Sequence, residues 1–95
     1  MADQATPDLL ALTPRLRYRA VGDEGVVVHL DRGRVTVVNE LGLHIIRLLQ
    51  QPMSRESLVT AIVTEFEVGA AEAEADLARF LDELAAEQLL APPAS

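Results

Sequence analysis

The sequence predicts an α+β domain in which a three-stranded antiparallel sheet is followed by three helices. Two observations predict it. Residues 16–38 alternate apolar with charged side chains or run in β-branched ones, broken by glycine turns. Beyond Val38 the apolar spacing becomes helical and is interrupted twice by breakers. Sheet first and helices after is the order of a two-layer domain around one core.

The first strand is Leu16-Arg17-Tyr18-Arg19-Ala20, whose period of two marks a half-buried strand. Gly22-Asp23-Glu24-Gly25 is turn chemistry, and Val26-Val27-Val28-His29-Leu30 is the second strand. Asp31-Arg32-Gly33 makes a tight turn, with Gly33 suited to positive φ, before Arg34-Val35-Thr36-Val37-Val38. Setting Asp31 opposite Arg34 pairs Leu30 with Val35 and Val28 with Val37. That register predicts Val26, Val28, Leu30, Val35 and Val37 on the core-facing side, with His29, Asp31, Arg34 and Thr36 on the other.

Asn39 is a good N-cap for a first helix carrying Leu41, Ile45, Leu48 and Leu49 on one face, and Gln51-Pro52 stops it. Ser54 caps the second helix, with Met53 and Leu58 placed as a hydrophobic staple and Leu58, Val59, Ile62, Val63 and Phe66 as its stripe. Val68-Gly69 is a break. The third helix runs over about residues 70–88 and lines up Ala73, Leu77, Phe80, Leu81, Leu84 and Ala85. Residues 1–14, interrupted by Pro7 and Pro14, read as a flexible arm on which Leu9, Leu10 and Leu12 are free to dock. Residues 15–90 form the domain, and residues 91–95 form a disordered tail.

Composition narrows the function. A chain of 95 residues is one domain, burying about two thirds of its surface on folding. Only Tyr18, Phe66 and Phe80 are aromatic, so the core is aliphatic. There is no cysteine, hence no disulfide and no thiolate, which fits a reducing compartment. No apolar run approaches the ~18 residues a membrane span needs, and the acidic start lacks a basic secretory n-region. The expected setting is cytoplasmic.

Charge is uneven. Residues 1–50 hold six arginines and six acids, whereas residues 51–95 hold two arginines and nine acids, the whole of the net −7. Lysine is absent.

Catalysis needs a nucleophile, a tuned acid or base, or a metal, gathered in a pocket. His29 and His44 have no ligand spacing around them, and the acids of the last helix fall largely opposite its apolar stripe as a solvated face. No Gly-rich loop precedes a helix and no serine sits in a Gly-x-Ser-x-Gly context. The expectation is no enzyme, no catalytic residue, no cofactor and no metal. The layout is winged-helix-like, which opens a DNA-binding regulator as an alternative. A recognition helix, however, carries Arg, Lys, Asn or Gln toward base edges. The middle helix offers Arg55, Glu56, Ser57, Thr60, Thr64 and Glu65, and the last offers Arg79 among acids. A polyanion with one charge per ~1.7 Å repels such a surface.

Three stretches in order carry a family resemblance. VVVHLDRGRVTVVNELGLHIIRLL gives paired strands, an apolar-Asn step and a helix with a small residue. MSRESLVTAIVTEF gives a short second helix ending on an aromatic, and EADLARFLDELAAEQLL gives an Asp-x-x-x-Phe-Leu-x-x-Leu helix. Together they resemble the PqqD family, the small proteins of pyrroloquinoline quinone biosynthesis and the related recognition elements of ribosomal-peptide (RiPP) maturation. Two departures stand out. Val38-Asn39-Glu40-Leu41-Gly42 replaces a Leu-Asn-x-Thr-Ala-type step, and the third strand has no aromatic.

The resemblance implies a non-catalytic peptide chaperone that captures the leader of a precursor peptide by β-strand addition. It then presents that leader to a maturation enzyme such as a radical-SAM protein, a cyclase, a dehydratase or a protease. The implied peptide-binding residues are Arg34, Val35, Thr36, Val37 and Val38 on the third strand, with Asp76, Leu77, Phe80, Leu81 and Leu84 on the third helix. A monomer or weak dimer is expected, without nucleic acid or membrane. A further alternative is a structural subunit docking on a larger enzyme with no peptide ligand. Four or five added backbone hydrogen bonds give roughly 4–5 kcal/mol. Association and ordering cost at least about as much. Micromolar affinity needs about −8 kcal/mol net, so two or three apolar anchors at about 1.5–3 kcal/mol each must supply the rest.

Overall fold

The computed structural model describes residues 9–91. The sheet expected from the sequence is there, with strand order β2-β3-β4 and both pairings antiparallel: β2 is Leu16–Val21, β3 is Glu24–His29 and β4 is Arg34–Val38. Helices α1 (Glu40–Leu48), α2 (Arg55–Phe66) and α3 (Ala70–Ala86) follow and cover one face of it. A second, two-stranded ribbon pairs β1 (Leu9–Leu10) with β5 (Met53–Ser54). Beyond it Leu12 bridges Leu90, and the Thr13 N–H donates to Leu89 O at 2.8 Å. Leu9, Leu10 and Leu12 thus lie on the domain, while residues 1–8 and 92–95 fall outside the described residues.

The faces of the sheet are the reverse of the expectation. The β3–β4 ladder closes at His29 opposite Arg34, so Val28 faces Val35 and Val26 faces Val37 across a four-residue loop, residues 30–33. Gly33 takes φ 62° there and its N–H donates to His29 O at 2.9 Å. The loop is tied down from the turn before β2: the Leu30 N–H donates to Arg15 O, and the Arg15 guanidinium grips both carboxylate oxygens of Asp31. Val26, Val28, Val35 and Val37 do share one face, but it is the outer one, where Val35 is 60% and Val37 63% exposed. Leu30 is exposed in the loop.

The core side is built from Leu16, Gly25, Val27, His29 and Val38. The reason lies in β2, where Leu16, Tyr18 and Ala20 alternate with two arginines; they pair with His29, Val27 and Gly25 and turn Arg17 and Arg19 outward with Val28 and Val26. His29 is buried there, its Nδ1 accepting from the Asp31 N–H at 3.2 Å. Gly25 belongs to β3 and not to the turn, which is Gly22-Asp23 alone. A side chain at Gly25 would meet Val38 Cγ2 at 2.9 Å and Leu43 Cδ1 at 3.0 Å, so its absence lets α1 lie close on the sheet.

Helix boundaries follow the caps. The Asn39 side chain accepts from the Gly42 N–H at 2.9 Å, and Ser54 Oγ accepts from the Ser57 N–H at 3.1 Å. Glu67, with φ 54°, ends α2 in the left-handed region, its N–H donating to Val63 O. One continuous core joins the layers: Val27 and Val38 from the sheet, Leu43, Ile45, Ile46 and Leu49 from α1, Leu58 and Ile62 from α2, and Ala73, Leu77, Phe80, Leu81 and Leu84 from α3. Leu41 and Leu48 are half-buried rather than central, and Ala85 is exposed.

Two substitutions test this account. Asn39→Ala removes the α1 cap and is expected to cost about 1 kcal/mol, lowering Tm by roughly 4–8 °C in a circular-dichroism melt. Gly42→Ala gains about 1 kcal/mol of helix propensity. It also drives a methyl group to within 2.8 Å of Phe80 Cε1 and 2.9 Å of Val38 Cβ. Overpacking of that kind costs about 1–3 kcal/mol. The net expectation is a lower Tm, and a raised Tm would show that Phe80 moves aside freely.

Candidate peptide-binding site

The sheet ends on β4, and an edge strand leaves alternate backbone N–H and C=O groups unpaired along its outer side. Beside that edge runs a groove of about 400 Å³. Its floor is Val37, Val38 and Asn39 at the end of β4 together with Leu41 and Gly42 in the first turn of α1. Its far wall is α3, through Asp76, Arg79, Phe80 and Glu83, and Glu24 stands at its mouth. The groove exists because α1 begins directly after the edge strand and presents glycine at position 42, so Phe80 can come within van der Waals reach of bare backbone. The ring is 8% exposed and forms the apolar centre of the wall.

The groove's charge is mostly negative. Asp76 pairs with Arg79 one turn along α3, which leaves Glu83 and Glu24 as the exposed carboxylates of the lining. At the other end of β4, Arg34 Nε lies 2.7 Å from Glu87 Oε1, an oxygen buried without a well-aligned hydrogen bond. This pair ties the start of the edge strand to the end of α3. Being half open to water, it orients more than it stabilises. Arg32 makes a second link, donating to Gln88 Oε1 at 3.1 Å.

The structure brings together only some of the residues expected here. Val37, Val38, Asp76 and Phe80 line the groove. Arg34 and half-buried Thr36 share the core side of β4 with Val38, and Val35 projects from the outer face. Leu77, Leu81 and Leu84 are in the core beneath it, so they support Phe80 and do not reach the groove surface. Missed were Glu24, Asn39, Leu41, Gly42, Arg79 and Glu83. A signal for part of this was present: a glycine inside a helix costs about 1 kcal/mol against alanine and marks a close approach.

Elsewhere, among the described residues, no three His, Cys, Asp or Glu side chains gather as a metal site, and no helix is long and apolar enough to cross a membrane. His44 packs edge-to-face on Phe66, ring centroids 5.4 Å apart.

Comparison with known proteins bears on the same segment. No curated protein matches this chain. A solved structure of TbiB1 in complex with the TbiA(beta) leader peptide is similar to it, with 30% sequence identity and a TM-score of 0.79 over 90% of this chain and 99% of that one. The model of the family described as Coenzyme PQQ synthesis protein D (PqqD) matches residues 24–90, the stretch that holds β3, β4, the three helices and the whole groove. The chain belongs to the PqqD family.

Proposed function

We propose that this chain is a non-catalytic recognition element that takes the leader of a ribosomally made precursor peptide as an added strand on β4 and presents it to a maturation enzyme. The observation that carries the reading is the open edge of β4 lying beside a groove walled by α3. β-augmentation needs both parts: backbone pairing for affinity and pockets for alternate side chains for specificity. TbiB1, similar over nearly its full length, was solved with a leader peptide.

The division of labour follows from the energetics. Edge pairing at about 1 kcal/mol per hydrogen bond roughly offsets association and ordering. The exposed apolar lining, Val37 with half-buried Leu41, must then supply most of the net affinity, while Phe80 and Val38, already buried, shape the wall behind it. Glu83 and Glu24 favour a leader with a basic residue at the groove's mouth, and Arg34 is available to an acidic one if it releases Glu87. Such exposed pairs set register and orientation more than affinity. The chain would work in the cytoplasm, where the precursor is made; the absence of cysteine fits a reducing compartment. The DNA-binding alternative has no support.

Titration of the labelled chain with the synthetic leader of the precursor peptide encoded beside it is expected to shift the amides of β4 and of Asp76, Arg79, Phe80 and Glu83. Shifts confined to other segments would remove this site. Phe80→Leu keeps the core apolar and reshapes the wall of the groove. It is expected to weaken leader binding roughly five- to tenfold, the equivalent of about 1–1.4 kcal/mol, by calorimetry. Unchanged affinity would show that the ring is a core residue only.

A further inference from the structure

The outer face of the sheet carries an apolar surface of which the peptide groove uses only one margin, Val37 and Glu24. Rows run across the three strands: Arg17, Val28 and Val35 in one, Arg19, Val26 and Val37 in the next. Val21 continues the face at the end of β2 and is 57% exposed, close to the 60% of Val35 and the 63% of Val37. Among the described residues no helix or strand packs on this side. Four half-exposed or exposed valines in two adjacent rows form a contiguous patch rather than scattered surface hydrophobes, and such patches mark interaction sites.

Its border states the partner's chemistry. Arg17 and Arg19 stand along the β2 side. The Arg17 guanidinium turns back to the carbonyls of Pro14 and Leu16, so Arg19 is the cation that projects. Glu24, opposite Val21 at the end of the hairpin, is the acid on this face. A second copy stacked face to face offers these arginines only its own Glu24 as an acid on this face. A partner with an apolar centre and an acidic rim matches both features, the usual anatomy of a protein–protein interface.

The alternation of β4 makes this compatible with a bound leader. Arg34, Thr36 and Val38 project to the core side, Val35 projects to the outer face away from the groove, and Val37 stands where the two surfaces meet.

We infer that the outer face of the sheet, centred on Val26, Val28 and Val35 and bordered by Arg19, is the docking surface for the maturation enzyme, through an apolar patch rimmed by acids. The identity of the partner rests on the leader-recognition reading; the existence of the surface does not.

The test uses the peptide-modifying enzyme encoded beside this chain and the synthetic leader, each titrated separately against wild type, Val26→Thr/Val28→Thr and Arg19→Glu. Threonine keeps the strand's shape and propensity while making the patch polar. None of the three positions lines the peptide groove. The expected result is at least about a tenfold loss of enzyme affinity in both variants, with leader affinity unchanged. The loss for Arg19→Glu is largest at low salt.

Wild-type enzyme affinity in both variants overturns the proposal and leaves leader recognition standing. So does a wild-type dimer in sedimentation that Val26→Thr/Val28→Thr converts to a monomer, because the occupant is then a second copy. Failure of the wild type to bind the leader overturns the peptide reading alone, since the enzyme titration still reports on this face.

Discussion

At Gly42 the first helix presents bare backbone to Phe80 and Val38, and a methyl group there would stand 2.8 Å from the aromatic ring. The depth and walls of the groove depend on that approach. α1 starts at the end of the edge strand because Asn39 caps it there, and Gly42 falls one turn later, where α3 crosses. Phe80 then fills the corner between strand and helix, backed by Leu77, Leu81 and Leu84. A larger residue at position 42 would push against Phe80 and Val38, and the ring would no longer lie as close beside the edge.

The second constraint is the right-or-wrong choice that a period of two imposes on each strand. β2 alternates Leu16, Tyr18 and Ala20 with Arg17 and Arg19, and antiparallel pairing transmits that choice across β3 to β4. The result is that a valine-rich face points to solvent while a face with glycine and histidine points to the core. Gly25 is an advantage on the inner side because it admits Leu43 of α1. Apolar residues left outside in this way are costly to solubility unless something covers them, which is the physical ground for reading that face as an interface.

Much of the fold was legible because it is encoded locally. Asn39, Ser54 and Gly69 mark where helices start, and the stripes of α2 and α3 mark which sides are buried, since a helix repeats its signal every turn. The valine count on β3 and β4 points to the wrong sheet face; the alternation of β2, carried across the ladder, sets the faces. The signal was in the sequence, at Arg17 and Arg19. The pairing of Leu9–Leu10 with Met53–Ser54 left no such trace: two-residue strands far apart in the chain have no periodicity to read.

The sequence by itself determined the class of fold, the helix boundaries, the acidic character of the C-terminal half and, through three ordered stretches, the family. These are properties of neighbouring residues, and local propensity and capping suffice for them. Only the tertiary structure decided which residues meet at the groove. Glu24, Gly42 and Glu83 come from three different elements, and their meeting depends on how closely α1 and α3 approach the sheet. It also decided which side of the sheet is free, because a strand's face is chosen by its partners and not by its own residues.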